Sequence, residues 1–105
     1  MKNIFTSLPS NPQHEQFDEL LRDGNIRIER IISKGHTSPE TGWYDQEENE
    51  WVIVLEGAGT VLFEEDDRRV TLKRGGFIHI PAHAKHKVIW TDPNERTVWL
   101  AVHYS

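Results

Sequence analysis

The chain has no cysteine among its 105 residues and only one methionine. Neither a disulfide nor a thiolate metal site can therefore contribute to its stability or chemistry. Long hydrophobic runs are missing as well. No window approaches the roughly 18 apolar residues that a bilayer-spanning helix needs, and the opening MKNIFTSLPSNPQHEQF lacks the continuous apolar stretch of a signal peptide. The expectation is a soluble, cytoplasmic protein. Positive charge is scarce, with 12 basic against 17 acidic residues and a formal charge of −5. The basic residues (Arg68, Arg69, Lys73, Arg74, Lys85, Lys87) are scattered among acids. Nucleic-acid binders draw most of their affinity from a basic stripe or excess, so DNA and RNA are disfavoured as partners. Repeats, linkers and low-complexity tracts are absent, and the length suits one domain with one modest core.

Periodicity then divides the chain. The segment to about Pro12 is rich in turn formers. In QHEQFDELLRDG, Phe17, Leu20 and Leu21 have the i, i+3, i+4 spacing of a short helical face, with Gly24 as its stop. Residues 1–24 are thus expected to form a surface segment with one short helix, and residues 25–105 a single β-domain. From Asn25 the period becomes two. NIRIERIIS alternates Ile26, Ile28 and Ile32 with Arg27 and Glu29, the pattern of a strand with one wet face. EWVIVLEG differs, with Val52 and Val54 on one face and Trp51, Ile53 and Leu55 on the other. GTVLFEEDDRRVTL reads as a hairpin turning near Glu65 to Arg68, and FIHI, HKVIW and ERTVWLAVHY supply three more strands. Seven or eight short strands with regular turn signals predict an antiparallel sandwich or barrel. Strands apolar on both faces, such as Trp51 to Leu55 and Val98 to Val102, must be covered on both faces. A homodimer is expected to supply the second cover.

Candidate chemistry centres on GGFIHIPAHAKHKVIW, residues 75–90, which holds His79, His83 and His86. His86 opens a strand and shares a face with Val88 and Trp90, so its imidazole is expected to point inward. Glu50 shares a face with Val52 and Val54. An inward carboxylate is costly to bury alone and requires a partner, whether a metal ion, a histidine or a ligand. A glutamate and a histidine converging from separate strands are two of the three parts of a facial metal triad. Gln46, Asp45 and His83 are candidates for the third position. Trp43, Tyr44 and Trp90 could line a barrel mouth and stack on a planar or sugar-like ligand. His79 and Trp99 are better read as packing residues, and His14 and His36 as surface residues. Nothing orders Ser33, Ser38 or Thr41 as a nucleophile beside a base, and the glycines at 57 and 59 lack the strand-to-helix setting of a phosphate loop.

From about Ile26 to Tyr104 these residues resemble the cupin superfamily, specifically its small single-domain members of the cupin 2 type. Gly75, five residues, Pro81, the position of His83 (usually glycine) and His86 match the spacing of the second cupin motif, although its final asparagine is replaced by Trp90. Glu50, six residues and Gly57 match the end of the first motif. The two histidines that precede that glutamate in the family fall here on Tyr44 and Gln46, or with the longer gap on Trp43 and Asp45, and neither pair contains a histidine. The resemblance implies a conical antiparallel barrel of jelly-roll type. It also implies a divalent first-row metal (manganese, iron, zinc or nickel) on Glu50 and His86, serving an enzyme that acts on a small polar substrate. The missing histidine pair favours the alternative, a non-catalytic cupin dimer that holds a small molecule, or is purely structural, without metal. Whether the protein is an enzyme stays open at this point.

Overall fold

A computed structural model describes residues 2–9 and 11–105. The elements in chain order are β1 (Gln16–Asp23), β2 (Ile26–Ser33), β3 (Asn49–Glu56), β4 (Ala58–Phe63), a 3₁₀ turn (Glu65–Asp67), β5 (Arg68–Lys73), β6 (Phe77–Ile80), β7 (His86–Thr91) and β8 (Thr97–Tyr104). They form a five-stranded sheet in the order β1-β2-β8-β3-β6 and a three-stranded sheet in the order β5-β4-β7. Every pairing is antiparallel. The two sheets face each other as the conical, jelly-roll type of barrel expected for a cupin. Among the described residues, no helix is long and apolar enough to cross a membrane.

The short N-terminal helix expected over Phe17, Leu20 and Leu21 is instead strand β1, at the edge of the larger sheet. The helical spacing has a specific cause. The β1–β2 register slips by one residue between Glu19 and Leu21, so Phe17 sits opposite Ile31 whereas Leu21 sits opposite Ile28. A bulge inserts one unpaired residue and sends the flanking side chains to opposite faces. The three apolar residues therefore never share a stripe, and all three are exposed.

Two glycine-containing junctions carry the chain between sheets. At the β3–β4 junction Gly57 has φ +86°, and a Cβ placed there would lie 2.5 Å from Thr97 Oγ1 and 2.6 Å from the Arg96 carbonyl oxygen. The close approach lets Thr97 accept from the Ala58 N–H and donate to the Ala58 carbonyl. At the β5–β6 junction, Gly75 N–H donates to the Val54 carbonyl and Val54 N–H to the Gly76 carbonyl, which fastens one side of the barrel to β3.

The core is apolar toward this fastened end. Val52, Val54, Val61, Phe63, Leu72, Ile80, Trp99 and Ala101 form one buried cluster. Burial of each larger side chain contributes about 1.5–3 kcal/mol. The outer face of the five-stranded sheet carries a second apolar set. Trp51 stands opposite Val102 and His79, and Ile53 opposite Leu100 and Phe77. Phe77 is 60% exposed, with its ring centroid 5.4 Å from that of Trp51.

Gly57→Ala combines a left-handed backbone with a clash against main-chain atoms, and should lower unfolding free energy by about 3 kcal/mol. Gly24→Ala, where φ is +58° but nothing lies within 4 Å, should lower it by only about 1 kcal/mol. Urea unfolding of the two variants against the parent checks the difference.

Candidate functional site

The register of the large sheet assembles a polar row across three strands. Arg27 on β2 pairs with His103 on β8, which pairs in turn with Glu50 on β3. One step inward the row becomes Glu29, Ala101, Val52 and Ile78; the next holds Ile31, Trp99 and Val54. Alternation sends all of these side chains to one face. The barrel interior is therefore polar at the end where β3 begins and β8 finishes, and apolar beyond it. A cavity of about 280 Å³ occupies the polar end, lined by Arg27, Glu29, Ile31, Glu50, Val52, Trp99 and His103 of these rows together with Glu15, Phe17, Tyr44, Gln46, His86 and Val88. It has room for about nine waters at liquid density.

Glu50 and His86 meet here as the sequence pattern predicts. Glu50 is 8% exposed and His86 5%, and Glu50 Oε1 lies 3.8 Å from His86 Nε2. His86 Nδ1 is 2.8 Å from the Ala84 carbonyl oxygen. A carbonyl only accepts, so Nδ1 carries a proton, and the neutral imidazole then presents its Nε2 lone pair to the cavity. Gln46 donates from Nε2 to Glu50 Oε1 at 2.8 Å. Tyr44 pairs with His86 through an isolated bridge, Tyr44 N–H to the His86 carbonyl and His86 N–H to the Tyr44 carbonyl. The bridge holds the Tyr44 ring 5.7 Å from the imidazole.

Other candidates lie elsewhere. Asp45 and His83 pair with each other on the exposed rim, Asp45 Oδ1 standing 2.8 Å from His83 Nδ1. His83 has φ +63°, the left-handed turn for which the second motif usually has glycine, and its N–H donates to the Gln46 carbonyl. It lines a separate depression outside the barrel with Glu64, Asp66 and Lys85. Trp43 receives the Lys87 ammonium 4.5 Å above its ring, beside a shallow groove with Pro39 and Thr41. Trp90 was expected to share an inward face with His86 and Val88. A one-residue slip in the β4–β7 register pairs Val88 with Val61 but Trp90 with Thr60, and the indole is 40% exposed.

Three further cavity residues, Arg27, Glu29 and His103, have no motif spacing that singles them out in the sequence. Glu29 Oε1 is 3.1 Å from His103 Nε2. Arg27 donates to Glu29 at 3.1 Å and to Glu48 at 3.0 Å. The hydrogen bond from His103 holds the Glu29 carboxyl below the usual carboxylate range; burial opposes this, and the charges of His103 and Arg27 add to it. Burial disfavours the Arg27 charge, but the hydrogen bond to Glu48 and the fields of Glu29, Glu48 and Glu19 outweigh it and raise the guanidinium pKa. Two buried polar atoms of the lining, His103 Nδ1 and Trp99 Nε1, have no hydrogen-bond partner. Orphaned buried groups are uncommon in native proteins.

Among the described residues, no group of three or more His, Asp or Glu side chains could hold an ion. Glu50 and His86 supply two oriented donors, and the His86–Ala84 hydrogen bond is the support a ligating histidine normally has. Asp45 and His83, however, are spent on each other, and Gln46 turns its amide nitrogen toward Glu50.

Residues 29–103 match the family described as Cupin domain, and the chain belongs to that family. Among solved structures it is similar to a "putative mannose-6-phosphate isomerase" from Ralstonia eutropha JMP134. The identity there is 42% over 100% of this chain and 97% of the other, with a TM-score of 0.95. A protein of Thermus thermophilus shares the fold at 18% identity and TM-score 0.80, over 99% and 95% of the two chains. A cupin superfamily protein of Desulfitobacterium hafniense DCB-2 does so at 14% identity and TM-score 0.74, over 92% and 83%. No protein with a curated description matches the chain.

Because Glu29 has a lowered pKa, its stabilising contribution is complete above the ordinary carboxylate value and is lost as pH falls through the folded-state value. The melting-temperature advantage of the parent over Glu29→Gln should therefore be constant from pH 7 to 5 and shrink below about pH 4.5. Thermal melts of both proteins across pH 7 to 3 check it.

Proposed function

We propose that this cupin holds a small polar molecule in its barrel cavity and needs no metal ion to do so. The observation that carries the reading is the pair Glu50 Oε1 and His86 Nε2, 3.8 Å apart on the wall of the cavity, with no third His, Asp or Glu grouped beside them among the described residues. Cavities with apolar walls and a few convergent polar groups are the ordinary form of a small-molecule site. Val52, Val61, Ile80 and Val88 provide the walls. Glu50, Gln46, His86 and the Glu29–His103 pair provide the polar groups. Tyr44 is the member of the predicted aromatic set that reaches the cavity. The name given to the Ralstonia protein favours an occupant of about sugar size. The cytoplasm is the compartment in which we expect it to act.

Protein prepared without a histidine tag should contain substoichiometric metal, and the trace present should not depend on His86. In a thermal-shift screen, a ligand at 100 times its Kd should add about 2.7 kcal/mol, and a chelator should not change the shift. One equivalent of manganese, iron, zinc or nickel that is lost on Glu50→Ala or His86→Ala would instead establish the metal-dependent enzyme.

We also propose a homodimer through the outer face of the five-stranded sheet. The exposed Phe77 beside Trp51, flanked by Ile53, Leu100 and Val102, is an apolar surface with the composition of an interface core. A sheet of four eight-residue strands and one four-residue strand offers roughly 600 Å² per copy. Two copies then bury about 1,200 Å², at the lower edge of stable interfaces. Sedimentation of the parent should give a dimer, and Phe77→Glu should give a folded monomer with its cavity ligand retained.

A further inference from the structure

We infer that the cavity selects a small molecule carrying a protonated amine, seated between Glu50 and His86. The inference rests on the small-molecule reading above and names the ligand class of that site. Three carboxylates, Glu15, Glu29 and Glu50, line the cavity against one cation, Arg27. That cation is already engaged, since one arm of its guanidinium donates to Glu29 and the other to Glu48. Glu15 accepts from the Ser33 hydroxyl at 2.6 Å. Apolar walls around an excess of one charge sign concentrate the field inside. An incoming phosphate would face carboxylates and find no free cation on the lining, whereas an ammonium group would be drawn in.

The hydrogen-bonding state of the cavity supports the same choice independently. His86 is 95% buried, its Nδ1–H is committed to the Ala84 carbonyl, and its Nε2 lone pair has no donor. The facing Glu50 oxygen is a second acceptor, 3.8 Å away. Two acceptors at that separation are complementary to one donor standing about 2.9 Å from each, with an angle of about 80° between the two bonds. An ammonium group has three N–H donors and fills both acceptors while offsetting the buried Glu50 charge. The Tyr44 ring, 5.7 Å from the imidazole, adds a π-face at the mouth. A neutral polyol could satisfy the donors and acceptors but would leave the charge of Glu50 without compensation.

A matched series separates the classes: D-glucamine, sorbitol and sorbitol 6-phosphate, which share a six-carbon chain and differ in charge. Isothermal titration at pH 7 with chelator present should give D-glucamine at least tenfold tighter than sorbitol, and no detectable binding of the phosphate. Glu50→Gln should abolish the preference for the amine. His86→Gln, read after its melt confirms folding, should weaken it, and Asp45→Asn, an equal charge change on the rim, should leave it intact. Tighter binding of sorbitol 6-phosphate or of sorbitol would overturn the amine assignment while leaving a small-molecule site in place. Failure of all three also overturns the assignment, and the broader small-molecule reading then fails only if the chelator-insensitive thermal-shift screen is silent as well.

Discussion

The interior of this barrel is organised around the cost of turning carboxylates inward. An unpaired ionised group in an apolar interior is disfavoured by several kcal/mol even after relaxation, and Glu29 and Glu50 both face the cavity. Each has been given hydrogen-bonding company that the rest of the fold must hold in place. Glu29 lies between His103 and Arg27. Glu50 takes the amide of Gln46 and looks across at His86. Those partners come from four separate segments of chain, so the polar end depends on the register of β2, β8 and β3 and on closure by β7. The apolar rows beneath it supply the cohesion that makes such closure stable.

The same arrangement shows how a cupin framework can lose the histidine pair of its first motif and still keep a shaped site. Where the family has metal-binding imidazoles, this chain places Tyr44 and Gln46, and both still address the centre. Gln46 hydrogen-bonds Glu50, and Tyr44 is bridged to His86 through its main chain. The shorter of the two possible motif gaps is therefore the one that describes the geometry, and Trp43 and Asp45 fall on the outside. Glu50 and His86 look into a cavity rich in acceptors and poor in free donors. That imbalance distinguishes the site from a plain hydrophobic pocket.

Much of the fold was legible because burial imposes a period of two. The alternation of Val52 and Val54 against Trp51 and Ile53 placed Glu50 inward correctly. Two slips of register defeated the same logic. The bulge near Leu20 disguised a strand as a helix, and the slip between Thr60 and Val61 turned Trp90 outward. On β2 the polar residues Arg27 and Glu29 suggested a face in water. They face the cavity, while Ile26 and Ile28 lie on the outer face of the sheet, Ile26 being exposed. Alternation identifies two faces but not which of them is inside when the interior itself is polar.

By itself, then, the sequence determined the family, seven of the eight strands and the convergence of Glu50 with His86, because local periodicity and motif spacing act over short stretches of chain. Tertiary structure alone decided which residues complete the site. His103 and Glu29 are 74 positions apart and meet only through the pairing of β2 with β8, and Asp45 leaves the site because His83, 38 positions away, captures it on the rim. Contacts of that kind are set by strand register and sheet closure, which depend on the packing of the whole barrel.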